Sequence, residues 1–398
     1  MTLSFRSNNH SGIWDRIRSD DATRLRLKYG AYYHIFEEQN GTRVKKDGKE
    51  YVMLSSNDYL GLSNHPKIKE AGITALQQWG SSTTGARLAN GGRIFHRELE
   101  EDLADFMGKE ACHIFSAGYL ACASAITGFV DRKDIVFADK NLHSSLWSGI
   151  QLSGATCERF AHNHPEHLRE LISSESGAVH KALVLEGIYS MEGHIARLPE
   201  LVRVAKEFNT FVILDDAHGI GVLGDLGKGT ANHFGLTDEV DVICGSFSKS
   251  FSGTGGFVCA SKDAIEYMRS HSKQTIFSAA LSPSATACAH AALRIFRSEP
   301  EHRQRLEQNL KRYRNLLHDL KLDTWESESP AIPIVLGKKE KVYYFWKALL
   351  EKGVYAIISI APGVPPGKDL IRTAISAAHT ESDLDIIEEA MRYAVSKI

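Results

Sequence analysis

The chain has 398 residues, of which 43% are hydrophobic and 24% charged, with a formal net charge of −2. That length predicts a large buried core divided between two domains, and the balanced charge argues against nucleic acid or an anionic membrane surface as the main partner. The most apolar stretch, Phe115 to Val130, is too short and too rich in small residues to span a bilayer, so no integral membrane segment is expected.

The first residues, "MTLSFRSNNHSG", lack the apolar run of a signal peptide, which predicts a cytoplasmic protein. Helical patterns follow at about 15–30 and 63–109, the second including "FHRELEEDLADFMG" with Phe95, Leu99 and Leu103 on one stripe. From there the chain alternates. "DIVFAD" (134–139), "KALVLEGIY" (181–189), "FVILDDA" (211–217), "DVICGSF" (241–247) and "GFVCAS" (256–261) have the apolar composition of strands covered on both faces. Between them, "SSLWSGIQLSG", "PEHLRELISS" and "LPELVRVAKEF" carry helical spacing; in the last, Leu198, Leu201, Val202, Ala205 and Phe208 share a face. Such alternation predicts an α/β fold with a mostly parallel sheet, and ligands at the carboxyl ends of its strands. A charged helical segment at about 284–321 leads to a tail in which "AIPIVLG", "GVYAIISIA" and "DLIRTAIS" read as strands and two further segments as helices. The expected division is an arm at 1–50, a large domain at 51–290 and a small α+β domain at 291–398.

Four features fall at strand ends. "FSAGY", Phe115 to Tyr119, opens a helix with small residues, whose free N–H groups suit either a phosphate or ordinary capping. "NLHSS" puts His143 after a strand, where its imidazole could stack on a flat ring. "LDDAH" sets Asp215, Asp216 and His218 at the end of a very apolar strand; a buried carboxylate there needs a cationic partner, either a protonated pyridine or a metal ion. "GSFSKSF" places Lys249 among serines and glycines, where a desolvated amine becomes a nucleophile toward carbonyls and Ser246 and Ser248 can bind a phosphate. No GxxxxGK[ST] or GxSxG is present, which disfavours P-loop and serine-hydrolase chemistry. The histidines of "HNHPEH" (His162, His164, His167) suggest no fourth ligand, and no metal is expected. The six cysteines, Cys112, Cys122, Cys157, Cys244, Cys259 and Cys288, show no CxxC and read as small hydrophobes in a reducing compartment.

Taken in order, "SAGY", "LHSS", "LEGIYSMEGHIARLPEL", "ILDDAHGIGVLG", "GSFSKSF", "GGF", "FSAALSP" and "LIRTAISAAHT" resemble the α-oxoamine synthases, fold-type I enzymes that use pyridoxal 5′-phosphate. The resemblance runs from "SSNDYLGL" at Ser55 to the last helix. It implies that Lys249 binds the cofactor aldehyde and moves the Cα proton, that Asp215 pairs with the pyridinium nitrogen, and that His218, helped by Ser190, contacts the ring 3′-oxygen. His143 would stack on the ring. The segment Ser116, Gly118 and Tyr119, with Ser246 and Ser248, would hold the phosphate, and Ser278 would reach the phosphate of a neighbouring subunit. Arg372 would bind the amino-acid carboxylate, and Asn57 would line the site from the other protomer, so a homodimer with shared sites is implied. The implied reaction condenses an amino acid with an acyl-CoA and releases CoA and CO₂. Among family members the motifs look closest to bacterial serine palmitoyltransferases, implying L-serine and a long-chain acyl-CoA. An 8-amino-7-oxononanoate synthase, a 2-amino-3-ketobutyrate CoA ligase or another amino-ketone synthase stays open, because Ile360 and Trp147 depart from the palmitoyltransferase pattern.

Overall fold

A computed structural model describes residues 12–20, 23–24, 29–175, 180–361 and 363–398. The first helix covers Gly12–Ser19; residues 1–11, 21–22 and 25–28 of the N-terminal stretches read above, and Pro362 of "APGVPP", lie outside the described residues.

The N-terminal arm is a meander of three short antiparallel strands, β1 (Glu38–Asn40), β2 (Arg43–Lys46) and β3 (Lys49–Met53). Sequence periodicity gave no strand here, because only Val44 and Val52 are buried and the remaining positions are exposed or half-buried and mostly charged or polar. The turns mark it instead: Gly41 and Gly48 sit at φ 57° and 72°, which glycine adopts without strain.

The large sheet has seven strands: β4 (Ala111–Phe115), β5 (Ile135–Asp139), β6 (Thr156–Phe160), β7 (Lys181–Glu186), β8 (Phe211–Asp215), β9 (Val242–Ser246) and β10 (Gly256–Ala260). Their order is β4-β10-β9-β8-β7-β5-β6. All run the same way except β10, which is antiparallel to both neighbours. The mostly parallel sheet expected from the sequence is present with two strands more. β6 escaped notice because it is an edge strand whose exposed Glu158 and Arg159 dilute the apolar signal. β4 carries the buried His113, paired with Glu100 at 3.1 Å, inside an otherwise apolar run. Helices Gly118–Thr127, Ser144–Ser153 and Leu198–Glu207 cover the sheet, the last burying Leu198, Leu201, Val202 and Ala205 as its spacing predicts.

The charged segment near 284–321 is two helices, Pro283–Ser298 and Glu301–Asp319, separated at Glu299–Pro300 where proline removes a backbone donor. The tail adds β11 (Ala331–Gly337), β12 (Val354–Tyr355), β13 (Ile357–Ser359) and β14 (Asp369–Ala374). The stretch "GVYAIISIA" is thus two strands serving two sheets: β12 pairs in parallel with β3, and β13 joins β14 and β11.

Candidate active site

Because β10 alone is reversed, the carboxyl ends of β4, β5, β7, β8 and β9 meet the start of β10 along one edge; Gly256 faces both Phe115 and Ser246 across the ladder. The chemistry-bearing residues leave from that edge. The loop after β9 is anchored by Phe247 and Phe251, both buried, which pack on each other and on Phe257. Backbone bonds from Gly253 N–H to Phe247 O and from Ser252 N–H to Lys249 O (each 2.7 Å) close it into a tight turn. Lys249 is therefore held on a rigid loop at a strand end, half-buried.

Asp215 ends β8, is 5% exposed, and accepts the Ala217 N–H at 3.0 Å. His218 follows, with its Nδ1 2.7 Å from the Tyr59 hydroxyl. Burial drives the His218 pKa well down, and the positive charges of Lys249, Arg372 and His143 push the same way, so the imidazole stays neutral at neutral pH. Next to Asp215 on β7 stands its register partner Glu186, whose carboxyl is held well above its ordinary range by burial and by the Asp215 charge. Glu186 accepts the His143 backbone N–H at 2.5 Å. His143 caps the helix Ser144–Ser153, its Nδ1 2.7 Å from the Ser145 hydroxyl; burial lowers its pKa, with Asp215 raising it and Lys249 lowering it. The adjacency of β7, β8 and β9 and the Glu186 bond to the His143 backbone gather His143, Asp215, His218 and the Lys249 loop at one edge of the sheet.

At this same end of β9, Ser246 and Ser248 share a hydrogen bond of 2.7 Å beside the first residue of the helix Gly118–Thr127. A Cβ at Gly118 would stand 2.4 Å from Ser246 Oγ, so only glycine lets the helix start come this close. Tyr119 lies on its first turn, its hydroxyl 2.5 Å from that of Ser148, and Ser116 precedes the N-cap Ala117.

Arg372, on β14 and 8% exposed, donates from Nε to Ser190 O at 2.8 Å and from Nη2 to Asn57 Oδ1 at 3.0 Å. Asn57 is thus held by the Arg372 of its own chain. The segment "SSNDYLGL" packs inside the protomer, its Asp58 accepting the Ser252 hydroxyl at 2.6 Å on the Lys249 loop. Ser278 is not brought to the cluster. It lies beside Phe277, which is 81% exposed, on the segment where Ala279 bridges Ala86.

Asp216 is excluded by geometry. It points to the opposite face of the strand end, fully buried, and accepts both the backbone N–H and the hydroxyl of Thr230 at 2.6 Å. Gly187, Gly219 and Gly229 crowd its carboxylate so closely that any Cβ would come within 2.2 Å of it. Sequence reasoning missed Tyr59, Asp58 and Glu186. A Glu at the end of a buried strand, in "KALVLEG", was the available signal for the last.

The residues suit pyridoxal phosphate: a carboxylate for a cationic ring nitrogen, an imidazole for a ring face, an amine on a fixed loop, and hydroxyls beside a helix start that admits no side chain. The chain matches the aminotransferase class I and II family over residues 49–391. It is 38% identical over 361 residues to a serine palmitoyltransferase of Sphingobacterium spiritivorum, covering 91% of this chain and 90% of that one. It is 36% identical over 352 residues to an 8-amino-7-oxononanoate synthase of Thermoanaerobacter pseudethanolicus, covering 88% and 89%. A solved serine palmitoyltransferase from Sphingomonas wittichii superposes with a TM-score of 0.92 at 29% identity, covering 98% of each chain. Another, solved with pyridoxal phosphate as the internal aldimine, gives 0.92 at 31% identity over 96% of this chain and 99% of that one. The chain belongs to the aminotransferase class I and II family and, within it, to the α-oxoamine synthases, acyl-transferring pyridoxal phosphate enzymes of fold-type I.

Proposed function

We propose that this enzyme condenses L-serine with a long-chain acyl-CoA, releasing CoA and CO₂ and forming an α-amino ketone of the 3-ketodihydrosphingosine type. When bound, pyridoxal phosphate supplies an electron-withdrawing ring that stabilises negative charge at the amino-acid Cα. Lys249 would hold the cofactor through its amine and move the proton at the substrate Cα. Asp215 would keep the ring nitrogen protonated, and His218, neutral and tied to Tyr59, would contact the ring oxygen with Ser190. His143 would cover the ring face and orient the substrate. Gly118, Tyr119, Ser116, Ser246 and Ser248 would take the phosphate. Ser278 would complete that cradle in a second copy of the chain, a homodimer being supported by the exposed apolar Phe277 and Leu88 (81% and 65%) near it.

The observation that carries the reading is Arg372: a buried guanidinium held by Asn57 and the Ser190 carbonyl, whose charge is felt at His218. It is an anion receptor beside the amine, suited to an amino-acid carboxylate. A cavity of about 780 Å³, walled by Leu142, Met191, Val364 and Pro365 and lined by Lys140 and Lys368 together with Glu192, Asp323 and Glu326, supports an acyl chain on the second substrate through its apolar wall. The similarity to 8-amino-7-oxononanoate synthases supports a second reading, alanine with pimeloyl-CoA. A matrix of amino acids against acyl-CoAs of rising chain length, read as released thiol and product mass, tests both. Serine with a long-chain thioester is expected to be the best pair; a preference for alanine with pimeloyl-CoA, or glycine with acetyl-CoA, would overturn it.

A further inference from the structure

Asp215 and Cys244 are register partners on the adjacent parallel strands β8 and β9, so their side chains leave the sheet on the same face. The helix Gly118–Thr127 lies over that face and brings Cys122 to them. One donor atom from each of Cys122, Asp215 and Cys244 lies within 4.8 Å of the other two, and all three residues are buried. We propose that these three residues form a binding site for a thiophilic divalent ion of the Zn²⁺ class in the cofactor-free chain, and that ion and cofactor exclude each other. The exclusion rests on the reading that Asp215 faces the cofactor ring; the metal site itself does not.

Two sulfurs and a carboxylate oxygen are a donor set for a d¹⁰ ion. Four-coordinate bonds of about 2.3 Å to sulfur and 2.0 Å to oxygen put donors roughly 3.3–3.8 Å apart, so modest side-chain rotations close the present cluster. Each thiol surrenders its proton to solvent as the ion binds, and two thiolates with one carboxylate outweigh the ion's two charges by one. The edge of the sheet that would accept the cofactor is the way in. Other candidates lack one of these elements. His65, Glu299 and His302 also converge, but the Lys67 ammonium lies 2.6 Å from Glu299 and an Arg305 nitrogen 2.9 Å from His302 Nδ1, so cations already occupy the surroundings. Cys112 and Cys259 face each other on β4 and β10 but gather no third donor among the described residues. His162 is engaged by Asp139 and His194, both at 3.0 Å.

Cadmium is the probe, because its thiolate bonds give an ultraviolet charge-transfer band. The full chain, freed of pyridoxal phosphate, is expected to bind one Cd²⁺ with that band and to release two protons to an indicator dye. Preloading pyridoxal phosphate should abolish the band, and preloading Cd²⁺ should slow cofactor uptake at least tenfold. Cys122→Ala and Cys244→Ala should each weaken Cd²⁺ binding at least tenfold. Absence of the band in the unaltered chain, or a band that persists at full strength with cofactor bound or in the double variant, would overturn the proposal. If the variants do not fold, the competition on the unaltered chain decides. A band in a chain that takes up no pyridoxal phosphate would support the metal site and overturn the functional reading instead.

Discussion

On the sheet side of the crevice, Asp215, Glu186 and Lys249 are fixed by main-chain ladders and by loops anchored on buried phenylalanines. On the opposite side, β14 holds the backbone of Arg372, but its guanidinium and the loop residues Asn57, Asp58 and Tyr59 are joined by side-chain hydrogen bonds between parts of the chain far apart in sequence, 315 residues in the case of Arg372 and Asn57. The first wall is a consequence of the fold and positions its groups whether or not their own side chains are satisfied. The second exists only as long as each donor meets its acceptor. Substitutions on the sheet side should therefore remove chemistry while leaving architecture intact, whereas those on the other side should loosen substrate binding in graded steps.

The largest effect tests the first half of that contrast. Lys249→Ala should abolish the absorbance band of pyridoxal phosphate joined to the lysine amine and lower turnover by about 10⁴-fold, the upper range for losing a positioned acid–base group. Because the loop is held by Phe247, Phe251 and backbone bonds, the thermal midpoint should barely move. A variant that keeps both the absorbance and the rate would remove Lys249 from the site.

Arg372→Lys comes next. An ammonium cannot reproduce the forked contacts to Ser190 O and Asn57 Oδ1 while also receiving a carboxylate. Hydrogen bonds to charged groups are worth about 1.5–3 kcal/mol, so KM for the amino acid should rise roughly 10- to 100-fold, with a smaller change in kcat. Steady-state kinetics with varied amino acid separates the two, and an unchanged KM would place the carboxylate elsewhere. Tyr59→Phe removes the 2.7 Å bond to His218 Nδ1 and a longer one, 3.4 Å, to Asn57 Oδ1. About 1 kcal/mol, or roughly fivefold in kcat, is expected from one neutral hydrogen bond.

The same division explains what could be read from the sequence. Most sheet-side residues announce themselves because each follows an apolar strand, and the strand end supplies the context: Asp215 after "FVIL", Ser246 after "VICG", His143 two residues beyond "VFADKN"; Glu186 carries the same signal after "KALVL" and was overlooked. Asn57 and Arg372 were reached only through the family resemblance, since their contact joins residues 315 apart in sequence and nothing local announces it. Tyr59 and Asp58 were missed for the same reason: their partners His218 and Ser252 lie 159 and 194 residues away. β6 and the N-terminal meander were missed because exposed strands carry no buried-face pattern to detect.

Asp216 offers the sharpest test of the boundary between site and scaffold, with the smallest effect on turnover. It neighbours Asp215 in sequence, yet burial pushes its carboxyl up to about 7 while the hydroxyl and N–H of Thr230 pull it back. Its folded pKa lies above the ordinary value of 3.8. The native state therefore binds this proton more tightly than the unfolded chain does. The resulting stabilisation is fully present below about pH 4 and is lost progressively as pH rises through 7. In Asp216→Asn the amide oxygen can still accept from Thr230, and the Thr230 hydroxyl can turn to accept from the amide nitrogen, so the knot is retained without a titrating group. The difference in thermal midpoint between the native protein and Asp216→Asn should thus shift in favour of the variant as pH increases from 5 to 8, while turnover changes by less than about threefold. A pH-independent difference would mean that this carboxyl is not protonated in the folded chain, and a loss of activity comparable to that of Lys249→Ala would move it from the scaffold into the site.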